Sequence, residues 1–165
     1  RIWKLIGPDE VIVNMFAGVG TFSIIISHNN KSAIIYSIDS NPIAYHLCKE
    51  NIQNNNVVDN VFPILGDANL EISKKLRGIA NRVLMPLPER ARDFVDVAIS
   101  SLANNKRVVH YFAHVGADNK EIALKEGLKE TSETFSKFNY KIENVRIVRE
   151  VGPRFYQVVS DVEII

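Results

Sequence analysis

The sequence has little of several features that would place it in a special class of protein. A single cysteine, Cys48, excludes a disulfide within the chain and fits the reducing cytoplasm. No apolar run approaches the roughly 20 residues that a membrane-spanning helix needs. The formal net charge is only +1, so binding of nucleic acid would require a local basic patch. These absences favour a cytoplasmic globular domain without a membrane partner.

The length and composition fit one domain. With 165 residues, the chain can bury roughly 70% of the surface that its unfolded form exposes. Hydrophobic residues make up 46% and charged residues 24%, which is ordinary for a globular protein. The chain starts at Arg1 rather than at methionine, and residues 1–7 already have the pattern of folded structure. We therefore expect a domain that belongs to a longer protein.

Strand-like and helix-like segments alternate along most of the chain. Apolar and β-branched runs predict strands, and apolar residues at helical spacing predict helices. Asn41 and Pro42 favour a helix start, because Asn caps free N–H groups and Pro suits the first helical position. The predicted strands span residues 11–16, 33–39, 61–67, 82–87, 107–114, 141–149 and 155–165, and the predicted helices span residues 21–27, 41–54, 70–76, 89–102 and 121–138.

This order of segments predicts an α/β fold. Alternating strands and helices require right-handed crossovers, which give a parallel sheet with helices on both faces. The connection between the last two strands, residues 151–153, is too short for a crossover and must form a hairpin. The prediction is a seven-stranded, mostly parallel sheet whose last strand is antiparallel. This pattern is typical of Rossmann-like class I methyltransferases, and NAD-binding dehydrogenases usually lack it.

Three features converge at the ends of the first three predicted strands. Ligands of open α/β sheets bind beyond the carboxyl ends of the strands, beside the first strand. Residues 17–20 (Ala-Gly-Val-Gly) follow that strand, and their missing side chains let a ligand approach the backbone. Asp39 ends the second strand at a distance along the chain that suits hydrogen bonds to both ribose hydroxyls. Asp67 ends the third strand and can reach an adenine amino group.

The glycine loop does not match a phosphate-binding loop. The full G-x-G-x-x-G pattern fails because Ser23 stands in the third glycine position, and Phe16 and Phe22 would crowd a pyrophosphate. A cofactor with an adenosine but no phosphate fits better, which predicts S-adenosylmethionine. Each feature also has a plainer interpretation: the glycines could form an ordinary turn, and Asp39 and Asp67 could cap the helices that follow them.

Several segments together resemble a known family. The segments NMFAGVGTFSI, IDSNPIAYHLCKENIQNN, ILGDA, NRVLMPLPERARDFVDVAI, VVHYF and VGPRFYQVVSDVEI occur in this order over nearly the whole chain. They resemble the archaeal-type tRNA guanine-37 N1-methyltransferases, together with the wyosine-pathway enzymes of the same superfamily. The resemblance implies that residues 1–165 are the methyltransferase domain of a tRNA-modifying enzyme whose N-terminal RNA-binding domains are absent from this sequence.

The resemblance also implies roles for individual residues. Asp39 would hold the ribose of S-adenosylmethionine, and Asp67 would hold its adenine. The methionine part would face loop residues Phe16, Ala17, Gly18 and Gly20. The wall of the target-base pocket would be formed by residues Met85, Pro86, Leu87 and Pro88. Met85 would also contact the cofactor.

Two positions depart from the family's pattern. The family usually has Asp where this chain has Asn14, which affects how the methionine amino group is held. It usually reads Asn-Leu-Pro where this chain has Pro86, Leu87 and Pro88, and proline has neither a side-chain amide nor a backbone N–H. Residue 86 therefore cannot make an Asn-mediated contact to guanine. The chain resembles a Pro-bearing branch that is thought to accept a tricyclic wyosine precursor besides guanosine.

No catalytic residue is assigned within the chain. Methylation of guanine N1 requires removal of a proton, and a carboxylate is the natural base. The family's proposed Glu, with a neighbouring Arg, lies just before the segment that matches Arg1. Glu89 and Asp93 are the acids near the predicted strand at residues 82–87, which we call the pocket strand, but we interpret both as solvated residues in the first turn of a helix. The chain alone is therefore predicted to bind the cofactor and to turn over tRNA poorly or not at all.

Candidate RNA contacts come from residues 152–156 (GPRFY) and from nearby basic residues. Arg154 can pair with phosphate, and Phe155 or Tyr156 with a base, although both aromatic residues also suit a hydrophobic core. Basic residues expected near the site are Arg82, Arg90, Arg92, Arg149 and Arg154, of which Arg149 and Arg154 are the predicted substrate contacts.

The sequence thus predicts a monomeric enzyme that methylates a tRNA base, N1 of guanosine 37 or a wyosine precursor there. One alternative is transfer of the aminocarboxypropyl group from the same cofactor, and another is a non-catalytic RNA-binding module. His110 and His114 share one face of a predicted strand but lack carboxylate or thiolate company, so no metal site is predicted.

Overall fold

One mixed β-sheet organises the chain. The computed structural model describes residues 1–105 and 107–165. Within these residues, seven strands form a single sheet in the order β3-β2-β1-β4-β5-β7-β6. The strands are β1 (Val11–Met15), β2 (Ile34–Asp39), β3 (Val61–Leu65), β4 (Arg82–Met85), β5 (Val108–Gly116), β6 (Tyr140–Gly152) and β7 (Phe155–Ile164).

The sheet confirms the predicted topology. β1 to β5 pair in parallel, while β7 inserts antiparallel between β5 and β6. β6 and β7 are joined by two residues, Pro153 and Arg154, because Gly152 still pairs with Phe155. So short a connection permits only a hairpin. β6 is also longer than residues 141–149 and contains register shifts along its pairing with β7.

Helices cover both faces of the sheet, as predicted. They are α1 (Thr21–Asn29), α2 (Pro42–Asn54), α3 (Ala68–Glu71), α4 (Val95–Ser101) and α5 (Lys120–Phe135). We call the side covered by α1 and α2 the first face, where Ile24 and Ile52 pack on β-strand residues such as Ile35. On the second face, α3, α4 and α5 contribute Ala68, Ala98 and Phe135 to a separate core. None of the described helices is long and apolar enough to cross a membrane.

Two predicted helices are not continuous α-helices. Residues 70–76 contain the end of α3 and a π-helix, Ile72–Leu76. Residues 89–102 begin with a turn and a 3-10 helix, Ala91–Phe94, before α4 starts. The turn forms because the Leu87 carbonyl accepts hydrogen bonds from the backbone N–H groups of Arg90 and Ala91, at 3.1 and 2.9 Å.

A buried network of charges fixes the N-terminal segment to the first face. Arg82, the first residue of β4, donates to the Glu10 carboxylate at 2.8 Å and to His110 Nε2 at 2.7 Å. His110 Nδ1 donates to Asp161 at 2.6 Å, and Asp161 also pairs with Arg1. The prediction that Arg82 lies near the functional site is therefore wrong, because its side chain is buried at the amino-terminal end of the sheet.

Candidate cofactor site

A small cavity opens at the carboxyl ends of β1 to β4, where the sequence predicts the site. Its volume is about 70 Å³. Asp39 and Asp67 line it from the ends of β2 and β3, as predicted, and Phe16 lines it from the loop after β1. Leu87 and Arg90 close the opposite side. The structure thus brings together residues that are up to 78 positions apart, from Phe16 to Phe94.

The loop after β1 holds several residues in left-handed backbone conformations. Phe16, Gly18 and Gly20 have φ angles of 58°, 56° and 87°. Such an angle suits glycine but is unusual for Phe16, whose ring is held edge-on against Phe94 at a centroid distance of 4.8 Å. Ala17 fixes the loop through its N–H, which donates to the Ile38 carbonyl at 2.8 Å. The loop conformation is therefore determined by contacts on both sides.

The two glycines of the loop serve different purposes. A Cβ on Gly20 would lie 2.7 Å from Cys48 Sγ, so this glycine permits close packing of the loop on α2. Burial raises the pKa of the Cys48 thiol to about 11, so the side chain remains a neutral packing group. A Cβ on Gly18 would meet no heavy atom within 4 Å. The open backbone of Gly18 is the part that a ligand can approach.

Asp39 connects the glycine loop to the next loop. Its Oδ2 accepts a hydrogen bond from the Gly18 N–H at 2.7 Å, and its Oδ1 accepts one from the Asn41 N–H at 2.9 Å. The helix cap is Asn41, whose side chain accepts from the Ile43 N–H. An ionised carboxylate has about four acceptor positions, so Asp39 retains capacity for two further donors. The two hydroxyls of a ribose require that number.

Asp67 caps a helix and still faces the cavity. Its Oδ1 accepts from the backbone N–H groups of Asn69 and Leu70 at 2.9 and 3.3 Å, which caps α3. No described donor contacts the other carboxylate oxygen of Asp67, Oδ2. The plainer interpretation, a helix cap, is therefore correct for Asp67 without excluding a ligand contact through Oδ2.

Asn14 lies in β1, just before the glycine loop, and is fully buried. Its Nδ2 donates to Ser23 Oγ at 2.9 Å, and Ser37 Oγ donates to the same oxygen at 2.7 Å. Its Oδ1 has no hydrogen-bond partner. Because an unsatisfied buried acceptor is costly, this oxygen can take a donor from a water molecule or a ligand amino group. Asn14 therefore still offers one acceptor oxygen at the position where an Asp of the family's pattern would offer a carboxylate.

Of residues 85–88, Leu87 alone lines the cavity. Met85 is fully buried in the core of the second face, next to the residues that line the cavity in sequence but not among them. Pro86, Leu87 and Pro88 are half-buried, and Leu87 lines the cavity directly. The predicted cofactor contact of Met85 and the substrate contacts of the three following residues stay predictions.

Two residues of the cavity wall were missed or underestimated from sequence. The Arg90 guanidinium lies 5.2 Å from the centre of the Phe94 ring, and both side chains line the cavity. The sequence places Arg90 only among the basic residues near the site, and Phe94 has the pattern of a core residue. Their role as a wall depends on the turn at residues 87–90, which no local pattern in the sequence predicts.

The predicted RNA contacts lie at the same end of the sheet as the cavity, next to the carboxyl end of β5. Arg154 is in the hairpin turn, where its side chain is 78% exposed and 3.4 Å from Asp118. Arg149 is exposed on β6 and donates to Gln157 at 3.1 Å. Phe155 is exposed, whereas Tyr156 is buried. The structure therefore leaves Phe155 as the aromatic residue available to a base.

The acids near the pocket strand differ in their surroundings. Asp93 is exposed in the first turn of the 3-10 helix, as predicted. Glu89 lies in the preceding turn, and its carboxylate is 3.6 Å from His114 Nδ1. In the part of the chain that the structure describes, no three His, Cys, Asp or Glu side chains gather in a way that could hold a metal ion.

The strand order, the glycine loop and the two acids at strand ends define the class: a Rossmann-like class I methyltransferase fold. A family model, described as the TRM5/TYW2 methyltransferase domain, matches residues 1–143. The chain belongs to this family. The resemblance predicted from the sequence segments is thereby confirmed.

Named relatives include enzymes with two different reactions. The tRNA (guanine(37)-N(1))-methyltransferase Trm5b of Pyrococcus abyssi is 36% identical over 98% of this chain and 46% of that protein. The tRNA(Phe) (4-demethylwyosine(37)-C(7)) aminocarboxypropyltransferase of Methanocaldococcus jannaschii is 32% identical over 98% of this chain and 62% of that protein. The chain thus spans about half the length of the curated relatives it matches.

A solved structure shows the same fold with a ligand. The crystal structure of Methanocaldococcus jannaschii TYW2 in complex with AdoMet (S-adenosylmethionine) superimposes with a TM-score of 0.81. The two sequences are 31% identical over 99% of this chain and 74% of that chain.

Proposed function

We propose that this chain is the S-adenosylmethionine-dependent methyltransferase domain of an enzyme that methylates a tRNA base, N1 of guanosine 37. The observation that carries the proposal is the placement of Phe16, Asp39 and Asp67 around one cavity at the carboxyl ends of β1 to β3, with the Gly18 N–H bound to Asp39. Membership of the TRM5/TYW2 family and the names of the relatives support the same function.

The free acceptors of the cavity match the donors of an adenosine. Asp39 has two unused acceptor positions for the ribose hydroxyls, and Asp67 Oδ2 is free for the adenine amino group. The methionine part would run over the open backbone at Gly18 towards Phe16 and Ala17. Gly20 would hold the loop in place by packing on α2, Met85 would contribute from the core, and Asn14 Oδ1 is an unsatisfied acceptor for the amino group.

The cofactor supplies an electrophilic methyl group when it is bound, and this chain's residues position it. Alignment of the acceptor nitrogen with the sulfonium methyl provides much of the rate of such a transfer. The target base would lie against Pro86, Leu87 and Pro88, and Pro86 can make only apolar contact there. A base for the N1 proton is expected upstream of Arg1, since Asp93 is exposed and Glu89 is beside His114.

The partner in this proposal is tRNA, with Arg149 and Arg154 as phosphate contacts, and the enzyme is a cytoplasmic monomer. A second candidate is aminocarboxypropyl transfer at the same tRNA position, which the 32% identical transferase from Methanocaldococcus jannaschii favours. Methylation of a wyosine precursor is a third, favoured by Pro86.

Analysis of the released cofactor product distinguishes these reactions. The chain is incubated with S-adenosylmethionine and tRNA transcripts that carry guanosine or adenosine at position 37. Methyl transfer releases S-adenosylhomocysteine, whereas aminocarboxypropyl transfer releases methylthioadenosine. We expect slow formation of S-adenosylhomocysteine at most, and only with guanosine. Methylthioadenosine would contradict methyl transfer, and rapid methylation by the 165-residue chain would contradict an upstream base.

A matched pair of variants tests whether the proposed cavity holds the cofactor. D39N removes a charged acceptor from the cavity, while D59N removes an exposed acid in a turn outside it. Equilibrium dialysis with labelled S-adenosylmethionine should show an affinity loss of about tenfold or more for D39N, since hydrogen bonds to charged groups contribute roughly 1.5–3 kcal/mol. D59N should bind like the wild type. Equal affinities for both variants would place the cofactor elsewhere.

A further inference from the structure

The tip of the β6–β7 hairpin exposes an aromatic ring. It lies at the end of the sheet that carries the cofactor cavity, where the parallel strands have their carboxyl ends. Phe155 is 43% exposed, although its neighbour Tyr156 is buried in the core. Phe155 pairs with Gly116 on one side and with Gly152 on the other. Because both direct cross-strand partners lack side chains, neither of them covers the Phe155 ring.

The next cross-strand row extends this surface. His114, Gln157 and Arg149 are adjacent across β5, β7 and β6. On β5 and β7 this row lies two positions from the Phe155 row and therefore on the same face, while on β6 a register shift puts three positions between Arg149 and Gly152. The His114 ring is 5.1 Å from the Phe155 ring. Arg149 is exposed, and its Nε donates a hydrogen bond to Gln157 Oε1. The row therefore places an aromatic pair next to a guanidinium group.

The hairpin turn carries a second guanidinium group at a backbone position that favours glycine. Arg154 has a φ angle of 56°, in the left-handed region. It follows Pro153 in a two-residue connection, where glycine or asparagine usually adopts such an angle. Its side chain is 78% exposed, and an exposed partner, Asp118, lies 3.4 Å away. The strained arginine thus contributes little to the fold, which points to a use of its charge.

We propose that Phe155, His114, Arg149 and Arg154, the hairpin platform, bind an unpaired nucleotide of an RNA. The base would stack on Phe155 and His114, while the arginines would contact its phosphates. Single-stranded RNA is recognised by stacking on aromatic rings beside positive charges. The two arginines favour a polyanion over a neutral partner.

The platform is connected to the cofactor cavity by one turn. Glu89 lies 3.6 Å from His114, and the next residue, Arg90, lines the cavity. A nucleotide on the platform would therefore be a neighbour of the nucleotide whose base reaches the cofactor. The inference rests on the proposed function for the identity of the RNA, and it extends that function by adding a site for a base that is not modified.

Fluorescent anticodon stem–loop RNAs test the platform with the 165-residue chain. Two probes carry 2-aminopurine at position 36 or 38, beside guanosine 37, and their quenching reports stacking. F155A should weaken RNA binding about 5- to 150-fold, the range found when one base-stacking aromatic is truncated. It should also remove the quenching of one probe, and F155W should restore both. F62A is the matched control, since Phe62 is similarly exposed (39%) on β3, at the opposite edge of the sheet.

A second pair of variants separates binding from folding at the turn. R154G should weaken RNA binding severalfold while urea unfolding shows no loss of stability, because glycine accepts the left-handed angle. R77A, at an exposed arginine that follows the π-helix, should leave RNA binding unchanged. A loss of stability in R154G would show that the arginine serves the fold.

The outcomes distinguish this inference from the proposed function. F155A that binds RNA as tightly as F62A overturns the platform. So does a wild-type chain that binds S-adenosylmethionine but not the stem–loop, and this result leaves the cofactor part of the proposed function intact. A chain that binds neither contradicts the proposed function itself. Binding of an acidic peptide with equal affinity would show a general anion surface instead of a nucleotide site.

Discussion

Substitution of the two loop glycines by alanine should separate an effect on folding, larger at Gly20, from an effect on cofactor binding, expected at Gly18. At Gly20 the new Cβ would lie 2.7 Å from Cys48 Sγ, in a backbone with φ at 87°. At Gly18 the φ angle is 56°, but the Cβ would enter open space. G20A is therefore a packing variant, whereas G18A places a methyl group where the ligand is proposed to approach.

The magnitudes follow from these two geometries. A left-handed conformation costs alanine about 1–2 kcal/mol, of which the lower entropy of the unfolded alanine chain returns roughly half. G18A should therefore lose about 1 kcal/mol of unfolding free energy. Overpacking adds about 1–3 kcal/mol, and G20A is expected near the lower part of that range because the Cys48 side chain can turn. The total for G20A is about 2–3 kcal/mol.

Urea unfolding and titration calorimetry measure the two effects separately. C48A in the G20A background removes the overlapping sulfur. The double variant should therefore lose less unfolding free energy than the sum of the two single losses, by about 1 kcal/mol or more. G18A should lower the affinity for S-adenosylmethionine about tenfold or more, which corresponds to 1.4 kcal/mol. The reasoning is refuted if G18A destabilises the fold as much as G20A, or if G20A and C48A are additive.

Three further substitutions test other parts of the structure. Burial, opposed by the hydrogen bond to Asp161, lowers the pKa of His110, so stability is full above its unfolded pKa of about 6.5 and falls as the pH drops below it. Between pH 7 and pH 5, the wild type should thus lose about 1 kcal/mol more than H110Q in urea unfolding; equal losses would contradict a neutral buried histidine. R82M should cost about 3–5 kcal/mol by leaving Glu10 buried without its arginine, which thermal unfolding can measure, and a loss below 1 kcal/mol would show that the ion pair is dispensable. D67A should cost about 1 kcal/mol through loss of the α3 cap and should also weaken cofactor binding in calorimetry; unchanged affinity would limit Asp67 to capping.

The sheet could be predicted from sequence because its signals are local. Apolar runs mark β1 to β5, and the short link at Pro153 and Arg154 requires an antiparallel hairpin whatever the rest of the chain does. Asp39 and Asp67 could be placed at one edge because parallel strands end at the same side of a sheet. The Asn41 cap followed the general preference for asparagine at helix starts.

Features that depend on tertiary contacts could not be predicted. Arg82 has the pattern of a surface cation, but Glu10 and His110 from distant segments surround it. The left-handed conformation of Phe16 depends on its contact with Phe94, which lies 78 residues later in the chain. The turn that brings Arg90 to the cavity depends on hydrogen bonds to the Leu87 carbonyl.

Two neighbouring residues of the β6–β7 hairpin also show where prediction from the sequence stops. The sequence left Phe155 and Tyr156 equivalent, since either could face the core or a base. Alternation along β7 buries Tyr156 and exposes Phe155, and only the register with β5 and β6 decides which is which.

Titration calorimetry of the wild-type chain with S-adenosylmethionine tests the central claim most directly. The arrangement of Gly18, Asp39 and Asp67 predicts one binding site per chain, with competition by adenosine and none by inorganic pyrophosphate. Absence of heat at high micromolar S-adenosylmethionine would contradict the cofactor site and would favour a domain that keeps the methyltransferase fold for RNA binding alone.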